Sequence, residues 1–131
     1  MTKESETIDV KALEEDARSS EYRESYRVLE RFGSYRIGVG ARLSSSGQAT
    51  FFVEVVVSLC LDSTGIDLRL LETNLMFLKE LQALGYSLSC LEDNSVSCEM
   101  VVSSNSLASD YRMVRSTAEK ISLGAPSGAG S

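Results

Sequence analysis

The order of apolar and polar side chains changes period along the chain, and each change marks an element. Val10, Leu13 and Ala17 recur at helical spacing, with Glu14 four residues before Arg18, so a helix is expected over about 9–19, and Ser19-Ser20 either ends it or lies within it. Residues 21–32, EYRESYRVLERF, fit two periods. At 3.6, Tyr22, Tyr26 and Leu29 share one face and Arg23, Arg27 and Arg31 another; at 2, counted from Tyr26, the same segment is a short strand. The helical reading is favoured.

From Tyr35 the period is two. Tyr35, Ile37, Val39, Ala41 and Leu43 face one way, and Arg36, Gly38, Gly40 and Arg42 the other. SSSGQ forms a turn, after which Phe51, Val53, Val55, Val57, Leu59 and Leu61 point inward and Phe52, Glu54, Val56 and Ser58 outward. Pairing Leu43 with Ala49 across a five-residue loop keeps the odd positions of both strands on one side. A helix follows: Thr64 caps it with Asp67 three residues on, Leu71, Leu75 and Leu78 form a stripe flanked by Leu70, Phe77, Leu81 and Leu84, and Gly85 supplies a left-handed stop against which Tyr86 packs.

Tyr86, Leu88 and Cys90, the turn residues Glu92, Asp93 and Asn94, and then Val96, Cys98, Met100 and Val102 predict a second hairpin. A two-residue loop would set its apolar residues on opposite faces. A three-residue loop with Asn94 left-handed pairs Cys90 with Val96 and Leu88 with Cys98 and restores agreement. Ser106 then caps a last helix whose seam of Leu107, Tyr111, Val114, Ala118 and Ile121 suits either the sheet or a second chain.

These elements predict a single α+β domain over 9–122, with an antiparallel-rich sheet of four to five strands and helices mainly on one face. The order is α-β-β-α-β-β-α, with an extra strand if 26–32 is extended. Residues 1–8 are polar, and 123–131 hold the only proline among glycines and serines, so both ends are expected to be disordered. In element order, length and acidity, though in no motif, the chain resembles the small acidic chaperones of type III secretion and related proteins. That resemblance implies a dimer that binds unfolded partner segments.

Composition narrows the chemistry. At 131 residues, 43% hydrophobic and 24% charged, the chain is long enough for one packed core and is neither collagenous nor low in complexity. A net charge of −6 argues against general affinity for nucleic acid or anionic lipid. Histidine is absent, which removes the usual general base, the usual zinc ligand outside four-cysteine sites and the usual switch near neutral pH. Cys60, Cys90 and Cys98 lack CxxC spacing and lie in apolar runs, so they read as small core residues of a reduced, cytoplasmic protein. MTKESETIDV has no apolar signal core, and no membrane-spanning stretch is expected.

No phosphate-loop, dinucleotide, nucleophile-elbow, zinc-protease or EF-hand motif occurs, and no catalytic residue, cofactor or metal is expected. Gly38 and Gly40 sit inside a strand pattern, where glycines mark a twist, a bulge or a close neighbour. Glu54 breaks its pattern between Phe52 and Val56 and is expected to pair with Arg36 or Arg42 across the hairpin. Asn74, on the apolar side of its helix, reads as a hydrogen-bonded buried amide or a dimer-seam residue. Basic charge gathers in 25–60, where Arg27, Arg31, Arg36 and Arg42 face only Glu30 and Glu54.

The expectation is therefore a non-catalytic, homodimeric binding module. Its outward sheet face around Arg36, Gly38, Gly40, Arg42, Phe52, Glu54 and Val56 would bind a protein segment or a second copy, because Phe52 and Val56 together should expose more apolar surface than a solvated strand face does. The alternative is single-stranded nucleic-acid binding through the same Arg and aromatic face, with Arg23, Arg27 and Arg31 as further basic contacts.

Overall fold

A computed structural model of the chain describes residues 8–59, 61–62 and 65–130, with backbone alone at 61, 62, 66 and 122–130. Helix α1 (Val10–Ser19) starts where Asp9 accepts a hydrogen bond from the Ala12 amide at 3.1 Å, and it buries Leu13 and Ala17. Arg23 then takes a left-handed φ of 57°, which breaks helical continuation. Residues Glu24–Arg31 form strand β1, not the favoured helix. The cause is non-local: β1 pairs along its length with β2 (Tyr35–Leu43), and the Ser25 hydroxyl donates to the Leu13 carbonyl at 2.7 Å, tying the strand to α1.

Strand β3 (Ala49–Ser58) returns against β2 with Leu43 opposite Ala49, the expected register. A two-residue ladder between Leu61–Asp62 and Gly65–Ile66 leads into helix α2 (Leu68–Ala83). Its cap is Asp67, whose carboxylate accepts from the Arg69 and Leu70 amides at 3.1 Å; Thr64, the expected cap, lies outside the described residues. Gly85 stops the helix at φ 108°, the Tyr86 amide donates to the Leu81 carbonyl, and the Tyr86 ring is buried, all as the sequence predicts.

Strands β4 (Ser87–Cys90) and β5 (Ser95–Val102) pair Leu88 with Cys98 and Cys90 with Val96, with Asn94 left-handed at φ 63°. That is the three-residue loop. Helix α3 (Leu107–Gly130) carries helical backbone past residue 122, into the stretch expected as a tail; the expected disordered start, 1–8, lies outside the described residues except for Ile8.

The sheet is antiparallel with the order β1-β2-β3-β5-β4, so the domain is α+β with the element order α-β-β-β-α-β-β-α. Residues of all three helices, among them Leu13, Phe77, Leu81, Leu107 and Val114, share one core with the odd positions of β2 and β3 and with Val96 and Cys98. The α3 seam thus packs on its own sheet. Bulging between Val28 and Glu30 turns Glu30 to the helix side, where its carboxylate accepts from the Tyr111 hydroxyl at 2.5 Å and from Arg115 Nε at 3.1 Å. Among the described residues, no helix is long and apolar enough to cross a membrane.

The α2 stripe differs from expectation. Asn74, Phe77, Leu78 and Leu81 are buried, whereas Leu75 is 46% exposed and Leu70 and Leu84 lie at the surface. Asn74 is a hydrogen-bonded buried amide: Nδ2 donates to the Ser58 carbonyl at 2.8 Å, and Oδ1 accepts from the Ser34 hydroxyl at 2.9 Å. It fastens α2 to the β1–β2 turn and to the end of β3. Asn74→Ala is expected to cost about 2 kcal/mol, read as a lower urea midpoint at unchanged slope, and an unchanged midpoint would show that this fastening is dispensable.

Candidate functional site: the helix-free face of the sheet

The register sets Tyr26, Gly40, Phe52 and Val101 in one row across β1, β2, β3 and β5. Val28, Gly38, Glu54 and Glu99 form the next row, and Arg36, Val56 and Ser97 the one after. Arg36, Gly38, Gly40, Arg42, Phe52, Glu54 and Val56 therefore share one face, opposite the helices. Their exposure does not match expectation. Phe52 is 2% and Val56 7% exposed, and both lie outside the helix-side core.

Side chains of the same face cover them. The Tyr26 ring lies nearly parallel to Phe52, at 11° with centroids 6.4 Å apart, and the Arg42 guanidinium carbon stands 4.3 Å from the Phe52 ring centre. The two glycines make room for these rings. A Cβ on Gly38 would come within 2.5 Å of Tyr26 Cζ, and one on Gly40 within 2.5 Å of Phe52 Cζ. Enclosed in this way, Phe52 offers no free ring face for stacking a base.

Arg42 is held at both ends, by Glu99 at 2.8 Å and Glu24 at 3.3 Å, and its pKa is raised above the usual value chiefly by the bond to Glu99. Glu54 stands directly opposite Glu99, a like-charge pair that would be unfavourable alone. Arg42 neutralises Glu99, and the Ser97 hydroxyl donates to Glu54 at 2.8 Å. The expected ion pair of Glu54 with Arg36 or Arg42 is thus replaced by bonds that run to β5. Burial raises the pKa of the Tyr26 hydroxyl; a hydrogen bond to Arg36 opposes the rise, and Glu54 adds to it.

The three arginines that a helical period would group are scattered. Arg23 donates to the Ser44 carbonyl at 3.2 Å, Arg27 faces the helix side and pairs with Asp16 at 3.7 Å, and Arg31 faces outward opposite Arg36. Sequence reasoning missed Val101, Glu99 and Ser97 as members of this face, because only the pairing of β3 with β5 brings them there. Tyr26 was legible in the period-2 reading of its segment. Cys98 is buried as expected, Cys90 is exposed against expectation, both are free thiols, and Cys60 lies outside the described residues. Among the described residues, no group of three or more His, Cys, Asp or Glu side chains could hold a metal ion.

No protein-family model matches the chain, and no curated protein or solved structure matches it.

Proposed function

We propose that the chain is a non-catalytic, cytoplasmic binding module that works as a homodimer and takes up a protein segment on the helix-free face of its sheet. The observation that supports this reading is the row Tyr26, Gly40, Phe52, Val101, which is apolar from β1 to β5 and exposed at its ends, Tyr26 by 39% and Val101 by 59%. An extended segment laid on that row gains apolar contact from Val101 and Tyr26 and polar partners from Arg36, Glu54 and Ser97. The β4 edge supports the dimer. It is four uncharged residues long, whereas the opposite edge, β1, carries Glu24, Arg27, Glu30, Arg31 and a bulge. The free thiols Cys90 and Cys98 fit a reducing compartment.

Panning a library of random short peptides against the chain tests the reading, with affinities of enriched peptides measured by fluorescence anisotropy. Val101→Asp is expected to weaken them at least about tenfold, because a charge then sits on an apolar contact. Met113→Asp, on the exposed side of α3, is expected to leave them unchanged. Equal loss in both variants, or none in either, defeats the assignment of the face. Sedimentation at two salt concentrations tests the dimer: a salt-insensitive dimer supports it, and a monomer at micromolar concentration removes it.

A further inference from the structure

Where β1 turns into β2, two arginines are paired across the strands. The register pairs Arg31 with Arg36 on the helix-free face, just past the bulge. Like charges directly opposite on paired strands repel. Elsewhere in this hairpin the arginines are compensated, Arg27 by Asp16 and Arg42 by Glu24 and Glu99. Arg31 and Arg36 form no ion pair with a described carboxylate. The Arg36 contact is a phenol, the Tyr26 hydroxyl, and Glu54 further along the face is engaged by Ser97.

An open depression of about 210 Å³ lies at this pair, lined by Arg31, Phe32, Gly33, Arg36, Val56 and Ser95 among others. Ser95 is a buried polar residue at its wall. Gly33 and Ser34 of the turn also line it, and neither amide has a backbone acceptor among the described residues. Gly33 has nothing within 4 Å of where a Cβ would stand, so the turn backbone is open to approach. Two arginines, a serine and the backbone of the Gly33-Ser34 turn thus line one small space beside Phe32. Every one of these groups is a donor, or in the case of the hydroxyl can be one.

We propose that this depression binds the phosphate monoester group of a small metabolite. A phosphate monoester is largely a dianion at neutral pH, so it matches both guanidiniums, whereas a carboxylate would leave one uncompensated. Its oxygens accept from several donors at once, which suits arginine forks beside backbone amides. Binding relieves the repulsion between Arg31 and Arg36, so the ligand stabilises the fold as well as filling the site. The depression holds the phosphate and part of its carrier. The exposed Phe32 ring gives the carrier a surface to lie on.

Titration of the isotopically labelled chain, followed through amide and guanidinium NMR signals, tests this with inorganic phosphate, a hexose phosphate and a nucleoside monophosphate, each against sodium chloride at matched ionic strength. Saturable shifts at Gly33, Ser34 and Arg36 are expected with at least one phosphate probe. Arg31→Gln and Arg36→Gln are each expected to weaken binding about tenfold or more. Arg31→Gln should melt no lower than the parent without ligand, since it removes a repulsion. Tighter binding of the nucleoside monophosphate assigns an aromatic carrier against Phe32, and equal binding of all three assigns recognition to the phosphate alone. Shifts that fail to saturate in the millimolar range, that chloride reproduces, or that survive both substitutions overturn the proposal. A poly-pyrimidine strand that binds where no monoester does overturns it in favour of nucleic acid.

Discussion

Alanine at Gly40 is expected to lower stability by about 3 kcal/mol, whereas alanine at Gly38 is expected to change it by less than about 1 kcal/mol. Both glycines sit in β2 beneath an aromatic ring, yet the atoms that resist a side chain differ. At Gly40 the new Cβ meets the Ser25 carbonyl oxygen as well as the Phe52 ring. That carbonyl belongs to β1, which is held by its ladder with β2 and by the bond from the Ser25 hydroxyl to α1, so it retreats only if the edge strand opens. At Gly38 the three atoms nearest the new Cβ all belong to the far end of the half-exposed Tyr26 side chain, which can swing outward. The lower backbone entropy of alanine in the unfolded chain offsets part of that adjustment. Urea midpoints at constant slope separate the two. Equal losses would show that the rings, and not the backbone approach of β1 to β2, impose glycine here.

The same contrast bears on the site. Swinging Tyr26 aside uncovers one face of Phe52 without unfolding the sheet, so Gly38→Ala changes the surface that the proposed segment meets while leaving its scaffold intact.

How legible the fold was depended on how local its determinants are. Both hairpin registers follow from the alternation of side chains and the loop length, because a slip of one residue would turn Ile37, Val39, Val53 and Val55 out of the core. Segment 21–32 was misread because its tyrosines and arginines satisfy a helical period, and nothing local reveals that β2 offers it a partner or that Arg23 turns left-handed before it. In α2, hydrophobicity alone ranks Leu75 above Asn74 for the core. Phase decides otherwise: Phe77, Leu78 and Leu81 fix the buried side, and Asn74 fits there because Ser58 and Ser34 satisfy its amide.

For the site, alternation identified which side of the sheet each residue faces and could not tell how deep it lies. Depth at Phe52 is set by Tyr26 from β1 and by Arg42 stretched toward Glu99 on β5, so it depends on strand neighbours remote in sequence. The opposed arginine pair was hidden for the same reason. Arg31 and Arg36 become opposed only when 24–31 is a strand and its bulge corrects the facing.

Stability is expected to fall steeply between pH 9 and pH 12, through groups on the helix side of the sheet. Burial pushes the Cys98 thiol from an ordinary value of 9.0 up to about 12, with the Glu54 charge adding to the rise. The Tyr86 hydroxyl is moved up as well, by burial first and then by the charges of Asp110 and Cys98, and it has no hydrogen-bond partner among the described residues. Each group is neutral when protonated, and the folded chain holds its proton to higher pH than the unfolded chain does. The unfolded state therefore loses protons first as pH rises. The contribution is fully present below pH 9 and, for Cys98, is lost by about pH 12. For that thiol alone the shift corresponds to roughly 4 kcal/mol, a large share of the 5–15 kcal/mol typical of a domain. Cys98→Ala should flatten the alkaline fall at some cost near neutrality, where it leaves a small cavity. Tyr86→Phe should also flatten it, and should raise stability at pH 7 by about 1 kcal/mol by removing an unbonded buried hydroxyl. Urea midpoints under reducing conditions from pH 7 to pH 11 decide this, since a Cys98→Ala curve parallel to that of the parent would place the alkaline weakness elsewhere in the molecule.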